Sequence, residues 1–168
     1  MSGNEEPAGR RFEGSRDGTG LRVAIAQSRF NWLVGEKLTH GATEALVRHG
    51  VERDAIDVFI VPGAFELPAI ARRISDTGQY HAIICLGVVV RGDTPHFDYV
   101  CAESARGIAD VAFGSPCAVT FGVLTTDTME QALERAGGKV GNKGEDAAVA
   151  ALELVDLYRR FESEDDDG

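Results

Sequence analysis

No run of apolar residues in this sequence approaches the roughly 20 that a helix needs to cross a bilayer, so an integral membrane protein built on helices is not expected. The first residues are rich in Gly, Glu and Arg and carry no apolar signal core, so a cytoplasmic setting is expected. Cysteine is scarce. Cys85, Cys101 and Cys117 make an odd set without CxxC spacing, which predicts buried reduced thiols rather than a disulfide framework or a zinc site. Positive charge is also short: 17 Lys and Arg stand against 27 Asp and Glu, a net charge of -10. An acidic chain repels phosphate backbones, so a nucleic-acid partner is not expected, although a small anionic substrate needs only a local positive site. No P-loop, GxSxG, GxGxxG, HExxH or EF-hand pattern occurs, and nothing demands a metal or a redox cofactor.

What is present suffices for one domain. The chain has 168 residues, 43% of them hydrophobic, which supports a substantial core. The expected domain spans 11–162, between a disordered segment at 1–10 and an acidic disordered tail at 163–168. Inside it, strand and helix signals alternate. Apolar, β-branched runs at 21–26, 56–61, 82–90 and 117–124 read as strands. Between them, 32–49, 65–77 and 95–113 read as helices, with a short helix over 128–135 and a last one over 145–161. Asp127, followed three residues later by Glu130, resembles a capping box at the start of the short helix. Strands apolar on both faces and separated by helices predict a parallel sheet covered on both sides, a three-layer α/β/α sandwich.

In such sheets ligands bind beyond the carboxyl ends of the strands. Three unusual segments fall there: SRFN at 28–31, PGAFELP at 62–68 and RGDTPH at 91–96. Thr94 fits a helix N-cap and Pro95 the first helical position, so the free amides of that helix start would face the strand ends and could hold an anion. The alternative is an ordinary capped turn. His96 falls in the first turn, where an imidazole suits proton transfer near neutrality; the alternative is a surface histidine. Phe30 and Phe65 could stack on a flat heterocycle, although a lone Phe belongs more often to the core. Glu66 could accept hydrogen bonds from sugar hydroxyls or simply complement a helix start. Arg135, Lys139 and Lys143 cluster around a glycine-rich joint, where Arg135 could equally serve as a helix-dipole partner.

The strings SRFN (28–31), VPGAFELP (61–68), GVVVRGDTPHFDYV (87–100), FGVLTTDTMEQALERAG (121–137) and GNKGEDAA (141–148) together resemble the 6,7-dimethyl-8-ribityllumazine synthase family, in order and in spacing. The resemblance implies a flavodoxin-like sandwich with a four-stranded parallel sheet. It implies condensation of 5-amino-6-(D-ribitylamino)uracil with 3,4-dihydroxy-2-butanone 4-phosphate, the penultimate step of riboflavin biosynthesis. By position, it implies that Phe30 stacks on the pyrimidine with Asn31 beside it, and that Ala64, Phe65 and Glu66 hold the ribityl chain. Val88, Val89 and Val90 would offer backbone groups to the ring, and Lys143 would lie near its polar edge. Asp93 and Thr94 would flank the phosphate, Arg135 would pair with it, and His96 would transfer protons. Phe121 and Arg135 would come from a neighbouring subunit, which makes the active unit a pentamer.

Two positions depart from the commonest form of the family. Val88 stands where Thr is frequent, and Asp93 stands where a small neutral residue is frequent; a carboxylate beside a phosphate is repulsive unless it turns away. The short joint GGKVGNKG (137–144) resembles that of shell-forming members, so twelve pentamers in a hollow shell are expected. Residues 11–14 would add a strand to a neighbour's sheet edge, and a riboflavin synthase is the expected partner downstream. The rival readings are a catalytically weak lumazine- or flavin-binding shell and a monomeric flavodoxin-like nucleotide or signalling module.

Overall fold

The computed structural model describes residues 9–165; the expectations for 1–8, and for the acidic tail beyond 165, lie outside the described residues. Four strands form the main sheet: β1 (Val23–Ser28), β2 (Ile56–Val61), β3 (Ala82–Val90) and β4 (Ala118–Thr126). All pairings are parallel, in the order β2-β1-β3-β4. Each step between them carries a helix: α1 (Trp32–Arg48), α2 (Leu67–Asp76) and α3 (His96–Gly114). After β4 come the short α4 (Met129–Glu134), a small antiparallel pair β5 (Ala136–Gly138) and β6 (Gly141–Asn142), and the long α5 (Lys143–Asp165).

The all-apolar strands have a simple cause. Both faces of the sheet are covered, so β1 is buried along its whole length. On one face Val23, Ile25, Ile84 and Leu86 pack against Leu38, Leu46 and Leu152 of α1 and α5. On the other, Ala24, Ala26, Ile83 and Cys85 pack against Leu67, Ile74, Ile108 and Val111 of α2 and α3. The expected three-layer sandwich with its four-stranded parallel sheet is therefore what the chain forms. Among the described residues no helix is long and apolar enough to cross a membrane. The edges are less complete: Val58 and Ile60 on β2 and Phe121 on β4 remain exposed.

Several boundaries differ from the sequence expectation. α5 continues to Asp165, past the expected end at 161. The segment expected to open the second helix at 65 is a 3-10 turn, Ala64–Glu66, closed by the Glu66 carboxylate accepting from the Gly63 amide at 3.0 Å. The cap of α4 sits one residue later than expected. Thr128 Oγ1 accepts from the Gln131 amide at 3.1 Å, and Gln131 Oε1 accepts from the Asp127 amide at 2.9 Å. Threonine with glutamine three residues on forms this reciprocal cap; the Asp127–Glu130 pair does not.

Candidate active site

A parallel sheet brings the carboxyl ends of all its strands to one rim, and three of those ends build one cavity here. Backbone bonds fix them to each other. The Arg29 amide donates to the Val61 carbonyl at 2.7 Å, and the Phe30 amide donates to the Pro62 carbonyl at 3.1 Å. These bonds fasten the segment after β1 to the segment after β2. The Asn31 side chain donates to the Val88 carbonyl at 3.1 Å and fastens the first segment to β3. The Arg91 amide then donates to the Thr126 carbonyl at 2.9 Å, joining β3 to β4.

The cavity enclosed by this frame has a volume of about 660 Å³, ample for a ligand of drug size. One wall is Phe30. The second is Pro62, Gly63, Ala64, Phe65 and Glu66, and the third is Val88, Val89, Val90, Gly92 and Thr94. α3 supplies the rest through His96, Phe97, Tyr99, Val100 and Glu103. Phe30 is 71% and Phe65 60% exposed. Neither phenylalanine is part of the core, which overturns the expectation for a lone Phe. Two aromatic faces left open to solvent at a strand-end cavity are poised to cover a flat ring.

The start of α3 departs from expectation in detail. Pro95, not Thr94, is the N-cap residue, and the helix opens at His96. Proline has no side-chain acceptor, so no side chain caps this terminus. The first amides of a helix have no partner within it, and the positive end of the helix dipole lies beside the cavity. An anion can therefore be held there even though the expected Thr94 cap is not formed.

Nine expected site residues line the cavity: Phe30, Ala64, Phe65, Glu66, Val88, Val89, Val90, Thr94 and His96. Asn31 stands behind the wall through its bond to Val88. Asp93 is exposed and is not among the residues that line the cavity. Phe121, Arg135 and Lys143 are not brought to this cavity. Arg135 donates to its own chain's Gln131 carbonyl at 3.0 Å, its backbone carbonyl accepts from the Lys143 amide at 2.9 Å, and the Lys143 ammonium lies 3.4 Å from Asp146.

Sequence reasoning missed Phe97, Tyr99, Val100 and Glu103. The signal was present, because 96, 99, 100 and 103 share one helical face. Among the described residues no group of three or more His, Cys, Asp or Glu converges as a metal site. The three cysteines are free thiols, and burial pushes Cys85 up to about 12.

The family model described as 6,7-dimethyl-8-ribityllumazine synthase matches residues 20–159. A 6,7-dimethyl-8-ribityllumazine synthase of Anaeromyxobacter sp. (strain K) is 58% identical over 148 residues, 88% of this chain and 91% of that protein. Proteins of the same name from Desulfatibacillum aliphaticivorans and Chlorobaculum tepidum are 52% and 51% identical, over 90% and 89% of this chain and 98% and 97% of their own lengths.

Proposed function

The chain belongs to the 6,7-dimethyl-8-ribityllumazine synthase family, and from that premise we propose that the strand-end cavity is the part of its active site that one subunit supplies. The enzyme condenses 5-amino-6-(D-ribitylamino)uracil with 3,4-dihydroxy-2-butanone 4-phosphate to 6,7-dimethyl-8-ribityllumazine, phosphate and water. A catalytically weak binding shell is not favoured.

The 5-amino nitrogen adds to the ketone and loses water to give an imine. A proton leaves the adjacent carbon, phosphate departs, and the resulting enol becomes a ketone. The ribitylamino nitrogen then closes the second ring with loss of a second water. Each step moves protons and none needs a covalent bond to the protein. Orientation of two reactants is the larger contribution, and effective molarities reach about 10⁵ M and above for well-held pairs.

The roles are those that the family resemblance implies, and the shared cavity lining supports them. Phe30 covers the pyrimidine, and the backbone groups of Val88, Val89 and Val90 address its edge. Ala64, Phe65 and Glu66 take the ribityl chain, with the Glu66 oxygen not engaged by Gly63 offered to a hydroxyl. The phosphate settles against Thr94 and the open amides of α3, and His96 next to it moves protons. Asp93, exposed beside Thr94, is screened by solvent from that anion.

One observation carries the reading of a shared site. Phe121, Arg135 and Lys143 lie outside the cavity of their own chain, while Phe121 is 46% exposed on an edge strand. A neighbouring copy that presents Phe121, Arg135 and Lys143 would give the half-open cavity its missing wall and cations. We take the assembly to be a pentamer, and twelve pentamers in a shell, working in the cytoplasm. Light scattering distinguishes five chains of 18.0 kDa from sixty.

Lumazine formation followed by absorbance, with each substrate omitted in turn, tests the reaction. Mixing tests the shared site. His96→Ala and Arg135→Ala chains, each impaired alone, should regain activity when unfolded and refolded together, because some sites then receive both native residues. No recovery in the mixture would place His96 and Arg135 in one chain's site.

A further inference from the structure

Arg91 leaves the end of β3 between Val90 and Gly92, two residues of the cavity wall, but does not itself line the cavity. Its side chain grips three points. Nε donates to Asp127 Oδ1 at 2.8 Å, in the turn after β4. Nη1 lies 3.4 Å from Asp98 Oδ1, in the first turn of α3. The guanidinium carbon sits 4.4 Å from the centroid of the Phe97 ring, which lines the cavity. Asp98 and Phe97 follow His96 directly. One planar cation thus joins β3, the β4–α4 turn and the helix start that carries the proton-transfer residue.

That helix start needs an external tie. Pro95 provides no side-chain cap, residues 92–96 are all exposed, and no atom lies within 4 Å of where a side chain at Gly92 would begin. Backbone so little packed has freedom to shift. A direct role for Arg91 as a phosphate ligand fits poorly. Two carboxylates already engage its donors, and the trio of Arg91, Asp98 and Asp127 carries one net negative charge. The pairs are exposed as well, with Arg91 at 48%, Asp98 at 64% and Asp127 at 65%. Exposed ion pairs add little to global stability, so the grip should act on local geometry.

We propose that Arg91 is a positioning residue that holds His96 and the anion-binding start of α3 against the cavity through Asp127, Asp98 and Phe97. This rests on the site reading above. Arg91→Ala should lower kcat about ten-fold, within the loss that a displacement near 1 Å can cause. KM for the ribitylaminopyrimidine should change less than about two-fold, whereas KM for the sugar phosphate should rise only together with the loss in kcat, because the same displaced helix start holds the phosphate. The melting temperature should stay within about 2 °C, as expected for the loss of exposed pairs. Arg91→Lys keeps the charge but not the planar fork, and should recover only part of the rate.

Asp127→Asn weakens the same grip with little risk to folding. It should lower kcat in the same direction, and Arg91→Ala/Asp127→Asn should be no slower than Arg91→Ala alone. Wild-type kcat in Arg91→Ala overturns the proposal. So does a raised KM for the sugar phosphate at unchanged kcat, which would make Arg91 a direct ligand, and so do additive losses in the double variant. If Arg91→Ala does not fold, Asp127→Asn alone decides by its kcat. A His96→Ala control separates the two readings: wild-type turnover there would sink the site assignment, whereas a slow His96→Ala beside a normal Arg91→Ala sinks only the positioning role.

Discussion

Asn31 Nδ2 donates to the Val88 carbonyl at 3.1 Å from a backbone held at φ 58°, the one left-handed residue other than glycine in the described chain. The two features depend on each other. Asparagine tolerates this conformation better than other non-glycine residues, and its amide then bridges β1 to β3 beneath the cavity. Asn31→Ala should lose both, about 1–2 kcal/mol for the left-handed backbone and about 1 kcal/mol for the hydrogen bond. Asn31→Gly should recover the backbone part and lose only the bond. Urea denaturation of the three proteins checks the order wild type, then Gly, then Ala. Equal losses in both variants would mean that the backbone conformation carries no strain. Both should also raise KM for the ribitylaminopyrimidine, because the Val88 backbone they release borders its expected position.

His96 is exposed at the mouth of the cavity, so water or buffer can reach the atoms it serves. His96→Ala should therefore fall near the low end of the about 10²–10⁴-fold that positioned proton transfer contributes. The loss should appear in kcat more than in KM. Steady-state rates over a range of buffer concentrations provide the check, with residual turnover rising as buffer takes over the shuttle. Complete inactivity of a folded, assembled variant would show that the imidazole does more than move protons.

The layers of this protein were legible because burial on both faces leaves a mark in sequence. β3 covers 82–90 as expected, since a continuous apolar run between a polar turn and Arg91 has few other uses. The rim was legible for the same reason: parallel strands end together, so 28–31, 62–68 and 91–96 had to meet. Finer features were not. The α4 cap falls on Thr128, whose Oγ1 accepts from the Gln131 amide, while the Asp127 carboxylate is engaged by Arg91, a long-range contact that local spacing does not reveal. Phe30 and Phe65 look like core residues in sequence, and only the fold shows that they stop short of it. Arg135 and Lys143 are basic residues at a tight joint in either reading. Whether they serve their own cavity or another chain's depends on contacts that periodicity does not encode.

Cys85 lies at the centre of the sheet, wholly buried, and the cost of placing a thiolate there pushes its pKa from the ordinary 9.0 up to about 12. The sign follows from proton counting. Below pH 9 both folded and unfolded chains hold this proton, and the thiol adds no pH dependence. Above it the unfolded chain releases the proton while the folded chain keeps it, so stability falls as pH rises toward about 12. Wild type should therefore lose more stability between pH 9 and 11 than Cys85→Ala, by up to about 1.4 kcal/mol per pH unit. Parallel stability–pH curves for the two would show that the thiol is not the group responsible. Under native conditions a thiol reagent should reach Cys101, which is partly exposed, well before Cys85.

The joint at 141–144 sets how closely α5 approaches α1, and glycine is required there for space. A Cβ on Gly144 would overlap the Leu38 backbone carbonyl in the middle of α1, a group that cannot swing aside as a side-chain tip could. Asn142 braces the same contact. Its Nδ2 donates to the Lys37 carbonyl at 3.1 Å, and its Oδ1 accepts from the Gly144 and Glu145 amides at 2.8 and 3.2 Å, capping α5. Gly144→Ala must push the two helices apart, against a core of Leu38, Ala42, Ala148 and Leu152. Overpacking of this kind costs about 1–3 kcal/mol. Asn142→Ala leaves the space but removes the cap and should cost about 1 kcal/mol. Because Lys143 lies between them, Gly144→Ala should also displace the cation offered to the neighbouring site and raise KM there. Thermal unfolding with kinetics on both variants checks this, and a Gly144→Ala protein as stable as wild type would show that α1 and α5 are not held apart by so narrow a margin.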